Sequence, residues 1–244
     1  MKNRYLTLYD ALIDGVTSDA PVLETIGGDC WAMAAAAEGA GLGMMTPGES
    51  IPPMVPEGLA GLPLREAAKA TASWNLREAS FGLAAANAFY NTPERMAALG
   101  CYEPIKNYPT VGFDLEGMTV GLVGHMHGPP DLWERAREVY ILERAPKPGD
   151  YPDAACDWFL PRCDLVLITG STLINKTLPH ILELCENAYT ILLGPSVPMC
   201  PALLDFGIDR LAGMVAADRD GLADHVRQSV HGSPYRYGQS FLIK

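Results

Sequence analysis

Apolar and polar positions follow different spacings in successive parts of the chain. From Arg4 to Val16, apolar residues recur every three or four positions, which predicts an amphipathic helix. Short apolar runs at 21–26, 30–37 and 41–46 are separated by glycine-containing turns and predict a three-stranded antiparallel meander. The proline-rich stretch 47–63 then predicts an irregular surface loop.

Two helices are predicted next, at 64–73 and 76–90. The interior of the second is almost wholly apolar, which indicates burial, yet Asn87 and Asn91 lie four positions apart on one face. Two interpretations stay open for these amides. Either Asn87 hydrogen-bonds a neighbouring loop and Asn91 ends the helix, or both contact a ligand.

The pattern changes in the second half, after a predicted linker at 92–114. Apolar runs alternate with helical segments, and Thr177, Asp218 and Gly207 are predicted to cap helices. The predicted strands are 119–123, 138–142, 165–169, 190–193 and 210–215, and the predicted helices lie near 131–136, 152–160, 177–187, 201–206 and 219–230. This alternation predicts an α/β protein with a Rossmann-like parallel sheet, and domains at 1–110 and 111–244. The tail 231–244 has no assigned chemistry.

Composition narrows the classes of partner. The chain has 18 basic and 29 acidic residues among 244, and the net charge of −11 disfavours nucleic acid. No apolar stretch approaches the ~20 residues of a membrane span, so we expect a cytoplasmic protein. Six scattered cysteines without a C-x-x-C pair indicate neither a disulfide scaffold nor a zinc ribbon.

Candidate ligand-binding residues follow the predicted strands. In an open parallel sheet, ligands bind beyond the carboxyl ends of the strands, where the strand order reverses. The loops at this edge contain Gly124, His125, Glu143, Gly170, Ser171, Thr172, Asn175, Gly194 and Ser196. The hydroxyls and backbone N–H groups near Ser171 either bind an anion or cap the turn.

A metal site is one hypothesis for this edge. His125 and His127 point to the same side if the strand conformation continues, so both imidazoles can reach one ion. Cys200, in another loop, is a candidate soft third ligand for zinc, nickel, cobalt or copper. Alternatively, His127 only hydrogen-bonds a loop carbonyl, while His180, His225 and His231 are predicted to be exposed helix or tail residues.

Nucleotide binding is the competing hypothesis. Gly121-x-x-Gly124-x-x-x-Gly128 is not the dinucleotide fingerprint, but Glu143 ends the next strand at a position where a carboxylate can hold ribose hydroxyls. The alternative for Glu143 is a surface ion pair with Arg144 or with another surface charge. No catalytic Ser-His-Asp order, nucleophile elbow or Walker lysine is present.

Short motifs across both halves resemble a known family. They are Gly124-His125, Glu143-Arg144, Pro148-Gly149-Asp150, 169–177, 193–198 and Asp205-Phe206-Gly207, with Ser73-Trp74-Asn75 and 82–92 in the first half. Together they resemble the DUF364 proteins, labelled putative heavy-metal chelation proteins, with the accompanying DUF4213 N-terminal region. The resemblance implies an enolase N-terminal-like α+β domain, a Rossmann-like domain and a site in the cleft between them. The chain departs from the family at Met126-His127-Gly128 and at Cys200.

The leading hypothesis is therefore a protein that binds a transition-metal ion, or a small metal complex, in the interdomain cleft. Asn87 and Asn91 form one wall in this hypothesis, and His125, His127 and Cys200 are the metal ligands. The second hypothesis is an enzyme or sensor that binds a nucleotide-type ligand such as S-adenosylmethionine. A third is an interaction scaffold, and a homodimer stays open in each case.

Overall fold

The protein has a mixed α/β fold with a small antiparallel sheet and a larger, mostly parallel sheet. The structure is a computed structural model that describes residues 4–105, 113–126, 132–230 and 232–244. None of its described helices is both long and apolar enough to cross a membrane.

The first half begins with helix α1 (Arg4–Asp14) and the predicted meander. Strands β1 (Val22–Gly27), β2 (Trp31–Ala36) and β3 (Ala40–Met44) pair as antiparallel neighbours in that order, so the prediction is confirmed. Glycines in β3 follow from close packing against the second predicted helix, because a Cβ on Gly43 would lie 2.1 Å from the Ser80 carbonyl oxygen. Residues 45–62 contain no helix or strand, as predicted.

Helix α2 (Leu64–Ala67) continues as a 3-10 helix (Ala68–Ala72), and α3 (Leu76–Tyr90) has the predicted bounds. Asn75 caps α3 by accepting a hydrogen bond from the Glu78 N–H at 3.0 Å. The linker prediction for 92–114 is wrong in its first part, where α4 (Pro93–Ala98) forms. Thr92 caps this helix and Pro93 is at a first-turn position that needs no N–H.

The larger sheet contains all five predicted strands. Its members are β4 (Thr119–Val123), β5 (Glu138–Glu143), β6 (Tyr151–Pro152), β7 (Leu165–Thr169), β8 (Tyr189–Leu193), β9 (Arg210–Ala216) and β10 (Gly238–Ile243). Their order is β10-β9-β8-β7-β4-β5-β6, and all neighbours are parallel except β9 and β10. The sequence did not predict β10, because its first residues are Gly238, Gln239 and Ser240.

Three helices of the second half are shorter than predicted, and a fourth, α6, forms where the sequence predicts a loop. They are α5 (Cys156–Phe159), α6 (Ser171–Ile174), α7 (Leu178–Leu184) and α8 (Arg219–Arg227), with 3-10 turns at Asp153–Ala155, Leu160–Arg162, Pro201–Phe206 and Pro234–Tyr237. The predicted helix at 201–206 is thus a 3-10 helix, and 132–136 forms turns. The remainder of that prediction, 131, lies outside the described residues.

The predicted caps differ in outcome. Asp218 accepts a hydrogen bond from the Gly221 N–H at 2.9 Å, and Gly207 ends a helical turn with a φ of +91°. Thr177 precedes α7, but its side chain makes no capping bond. Its hydroxyl donates instead to Asn175 Oδ1 at 2.7 Å.

The largest hydrophobic cluster takes buried residues from both halves, including Leu83 and Phe89 of α3 and Ile168 and Leu192 of the larger sheet. The two sheets are therefore connected through a shared core. The boundary at 110/111 stays a prediction.

Candidate functional site

A cavity of about 420 Å³ lies where the strand order of the larger sheet reverses. The chain runs from β4 to β5 and β6 on one side and then returns to the other side of β4 as β7. The loops after β4, β5 and β7 consequently diverge around a crevice, which is the usual ligand position in such sheets. The lining includes Met44, Gly124, His125, Glu143, Arg144, Asp153, Cys156, Asp157, Thr169, Ser171, Thr172, Asn175, Thr177 and His180.

Gly124 turns the chain at the end of β4. Its φ is +97°, in the left-handed region, and a Cβ there would lie 2.9 Å from Thr169 Cγ2 on the neighbouring strand. Only glycine fits this position without strain. The turn brings His125 directly to the cavity wall.

Glu143 connects the loops after β4 and β5. One carboxylate oxygen accepts a hydrogen bond from the His125 N–H at 2.8 Å, and the other accepts from the Arg144 N–H at 2.7 Å. The predicted alternative of an ion pair with Arg144 is not what the structure shows. The Arg144 guanidinium instead lies 3.7 Å from Asp153.

The His125 imidazole lies next to a carboxylate. Its Nε2 is 3.9 Å from Oδ2 of Asp150, whose side chain is 3% exposed, whereas the His125 side chain is 32% exposed. Nδ1 makes no hydrogen bond to any residue in the described ranges. One edge of the ring thus faces protein and the ring as a whole borders the cavity.

Hydroxyl and amide groups form the wall after β7. Thr169 Oγ1 and Ser171 Oγ are 3.2 Å apart, and Thr172 Oγ1 donates to the Thr169 carbonyl at 2.7 Å. Asn175 Oδ1 accepts from Thr177, while its Nδ2 has no hydrogen-bond partner among the residues described. These side chains therefore cap their own turn and still leave donors toward the cavity.

Lys176 lies between two cavity residues, Asn175 and Thr177. Its φ is +70°, and its ammonium donates to the carbonyl oxygen of Thr71 and lies 5.1 Å from the Tyr9 ring centroid. Desolvation by burial lowers the pKa of this amine to about 7. The side chain joins the cavity turn to the helices of the first half.

The predictions for two histidines have different outcomes, because His180 is an exposed residue of α7, as predicted, whereas His225 is buried. His180 lines the cavity, with Nε2 3.2 Å from Asp157 and Nδ1 3.7 Å from Glu183, so both of its nitrogens face carboxylates. His225 is 3% exposed, and its ring centroid lies 5.5 Å from that of Tyr237. Its predicted exposure is wrong because α8, which contains His225, packs against the 3-10 turn Pro234–Tyr237. His231 is outside the described residues.

Six candidate residues are absent from the cavity lining: Asn87, Asn91, Gly170, Gly194, Ser196 and Cys200. Asn91 ends the helix, as one interpretation predicted, whereas Asn87 bonds a residue of strand β3 and not the predicted loop. Asn87 donates to the Leu42 carbonyl at 2.7 Å, and Asn91 is the C-cap of α3.

Asn91 also fixes the loop after β8, because its Nδ2 donates to the carbonyls of Val197 and Met214 and its Oδ1 accepts from the Met199 N–H. Ser196 accepts from the Met44 N–H at 2.9 Å. This loop is thereby held against the first half.

The remaining three also have structural surroundings. Gly170 is tightly packed, since a Cβ would lie 2.8 Å from Val197 Cγ2, and Gly194 turns the chain with a φ of +122°. Cys200 is 2% exposed and interacts with the Tyr90 hydroxyl.

Of the predicted metal ligands in the described part of the chain, His125 lines the cavity and Cys200 does not. No group of three or more His, Cys, Asp and Glu residues there is arranged to hold a metal ion. His127 lies outside this part of the chain. Cys156, which sequence reasoning did not select, does line the cavity, and burial raises the pKa of its thiol to about 11.

Sequence reasoning also missed Asp153, Asp157 and His180 as lining residues. All three belong to segments, 152–160 and 177–187, for which the sequence predicts helices. For Asp153 and Asp157, one sequence signal is their position shortly after the loop of β5, because that loop is itself a predicted part of the ligand site.

Comparisons with known proteins agree with this architecture. A DUF364 family model, described as "Putative heavy-metal chelation", matches residues 112–241, and a DUF4213 model with the same description matches residues 9–90. A crystal structure of a DUF364 protein with unknown function from Desulfitobacterium hafniense is 38% identical, covers 98% of each chain and has a TM-score of 0.87.

Two further relatives extend the comparison. A DUF364 protein from Pyrococcus horikoshii, at 21% identity, 99% coverage of each chain and a TM-score of 0.79, shows the same fold. An uncharacterised protein of Methanocaldococcus jannaschii is 33% identical over 108 residues, which are 41% of this chain and 42% of that protein. The match therefore spans less than half the length of this curated relative. Because the DUF364 family model matches more than half of the residues of this chain, the chain belongs to the DUF364 family.

Proposed function

We propose that this protein binds a transition-metal ion of the nickel, cobalt, zinc or copper type as a small complex with an organic ligand. The binding site is the cavity at the carboxyl edge of the larger sheet. In this proposal the cavity lies between an enolase N-terminal-like domain (1–110), which contributes Met44, and a Rossmann-like domain (111–244), which contributes the other lining residues.

The observation that carries the proposal is the environment of His125. Its imidazole borders the cavity, its Nε2 faces the buried Asp150 carboxylate, and its Nδ1 has no hydrogen-bond partner among the described residues. A neutral imidazole with one nitrogen directed at a carboxylate and the other open is the arrangement in which histidine commonly binds metals. His180 lacks this property because carboxylates face both of its nitrogens.

The volume and lining favour a metal complex over a bare ion. The described residues supply no three-group ligand set, whereas about 420 Å³ is within the range of small-molecule sites. Asn175 Nδ2 and the Ser171 hydroxyl offer donors to ligand oxygens. A carboxylate-bearing chelator would complete the coordination that His125 begins. The description of both matching family models agrees with metal handling.

Isothermal titration calorimetry tests the proposal. Each of the four divalent ions is titrated alone and as its preformed citrate complex into wild type, His125→Ala and His180→Ala. We expect one citrate complex to bind more tightly than its free ion, with an affinity loss of about tenfold or more in His125→Ala. His180→Ala removes the other histidine that lines the cavity and should lower the affinity less than His125→Ala does, because carboxylates face both nitrogens of His180.

Equal affinity of wild type and His125→Ala for every ion and complex would contradict the proposal. The citrate complex serves as a probe of the ligand class. Binding of a free ion that is stronger than binding of its complex would instead favour a site with more protein ligands.

A nucleotide-type ligand such as S-adenosylmethionine is the second candidate, supported by the position of Glu143. This carboxylate ends β5 beside the point of strand reversal and lines the cavity. Its bonds to three backbone N–H groups, those of His125, Arg144 and Ala145, leave one further acceptor position for a ribose hydroxyl. Thermal unfolding with a nucleotide panel tests it, because a ligand at 100 times its dissociation constant stabilises by about 2.7 kcal/mol. No shift with any nucleotide would exclude this candidate.

A further inference from the structure

We infer that Asp150 is a positioning residue that holds the proton of the neutral His125 imidazole on Nε2 and thereby leaves Nδ1 as the metal-binding nitrogen. The metal-binding part of this inference rests on the proposed function. The position of the proton does not, because it is a property of the metal-free protein.

The burial of Asp150 is unusual for its surroundings. Residues 144–149 are all exposed, whereas Asp150 as a whole is half-buried and its side chain alone is only 3% exposed. The Lys147 N–H donates to Asp150 Oδ2 at 2.9 Å, and the Asp150 N–H donates back to the Lys147 carbonyl at 2.9 Å. This reciprocal pair fixes the carboxylate in place.

A buried carboxylate is costly unless donors surround it. Among the described residues, one backbone N–H donates to this carboxylate, which has about four acceptor positions when ionised. In the described ranges, the basic side chain within 4.0 Å of the Asp150 carboxylate is His125, whose Nε2 lies 3.9 Å from Oδ2. The loop therefore directs a buried acceptor at one nitrogen of the ring.

The distance is about 1 Å longer than a normal N–H···O hydrogen bond. Such contacts are often long in ligand-free sites and shorten when the ligand binds. The His125 backbone is already held by Glu143, so rotation of the side chain is the freedom that remains. Two carboxylates thus contact different parts of His125, because Glu143 accepts from its backbone N–H and Asp150 faces its ring.

The tautomer follows from this geometry. In a neutral imidazole one nitrogen carries the proton and the other carries the lone pair. An adjacent carboxylate stabilises the proton on Nε2, so the lone pair is on Nδ1. This is the carboxylate–histidine–metal pattern, in which the outer carboxylate orients the ring and raises its basicity.

Nitrogen-15 NMR of histidine-labelled, metal-free protein tests the inference at about pH 8.5, where an ordinary imidazole is neutral. His125→Gln assigns the signals. We expect wild type to show protonated Nε2 and unprotonated Nδ1, and Asp150→Ala to show a mixture of both tautomers. Asp150→Asn should restore the wild-type pattern, because its amide oxygen still accepts from Nε2–H.

Asp153→Ala is the matched control, since Asp153 lines the same cavity but contacts Arg144. It should leave the His125 tautomer unchanged. For the citrate complex that binds wild type, Asp150→Ala should lower the affinity by about 10-fold to 100-fold. Asp150→Asn separates this effect from a general loss of structure.

An unchanged tautomer in Asp150→Ala would overturn the inference. A tautomer that depends on Asp150, in a protein that binds none of the metal probes, would support the positioning of the ring and overturn the proposed function. Equal loss of affinity in Asp150→Ala and Asp153→Ala would also overturn the specific role of Asp150.

Discussion

Replacement of Lys176 by Met should change how the stability of this protein depends on pH. The substitution keeps most of the apolar stem and removes the ammonium, which donates to the Thr71 carbonyl and lies above the Tyr9 ring. Burial lowers the pKa of this amine from 10.5 to about 7, so the folded state disfavours its charge.

The magnitude follows from the two pKa values. One pKa unit corresponds to about 1.36 kcal/mol, so the full shift corresponds to about 5 kcal/mol. Between pH 7 and pH 10.5 the unfolded chain keeps the proton that the folded chain has lost, and the free energy of unfolding therefore rises with pH. From pH 7 to pH 9 the contribution of Lys176 amounts to about 2 kcal/mol.

Urea unfolding of wild type and Lys176→Met at several pH values between 6 and 9 measures this effect. The difference between the two proteins cancels other titrating groups, provided that they do not contact the site. We expect Lys176→Met to gain stability relative to wild type at pH 6, and this relative gain to shrink by about 3 kcal/mol between pH 6 and pH 9. The exposed Lys69, paired with Glu66, supplies the control Lys69→Met.

A constant difference between wild type and Lys176→Met across this range would refute the reasoning. It would mean that water or a rearranged loop solvates the amine in the folded protein. A difference that grows with pH would reverse the sign and refute it as well.

Three other substitutions have defined expectations. Gly124→Ala should lower the free energy of unfolding by about 2 kcal/mol, because the φ of this residue is left-handed and Thr169 is close. An unchanged free energy of unfolding in chemical denaturation would contradict this. Asn91→Ala should cost about 2 kcal/mol more than Asn87→Ala, since Asn91 makes three hydrogen bonds and Asn87 makes one; equal losses would contradict this. Glu78→Ala should speed hydrogen exchange of the loop N–H groups of Met54 and Val55, because both donate hydrogen bonds of 2.7 Å to the Glu78 carboxylate. Unchanged exchange would contradict a role of Glu78 in holding this loop.

Much of the candidate site could be predicted from strand ends. Six candidate residues end or follow a predicted strand and also line the cavity: Gly124, His125, Glu143, Ser171, Thr172 and Asn175. The parallel-sheet rule supplied this result, because parallel strands place their carboxyl ends at one edge. Their role in ligand binding stays a prediction.

The residues that did not join the cavity show what this rule lacks. Gly194, Ser196 and Cys200 also follow a strand at this edge, but β8 lies outside the point of strand reversal. Their loop folds onto the first half, where Met44 and Asn91 bond to it. Strand ends determine which edge a residue occupies, whereas strand order determines which loops meet.

The sequence by itself determined the meander, the long buried helix and the five parallel strands, because apolar spacing reflects local geometry and burial. It did not determine β10 or the 3-10 helix at 201–206, whose patterns are too short or too polar to show a period. The tertiary structure alone decided that β4 lies between β5 and β7, and that Asp150 is buried beside His125. These features depend on contacts between distant segments, for which the spacing of residues along the chain carries no signal.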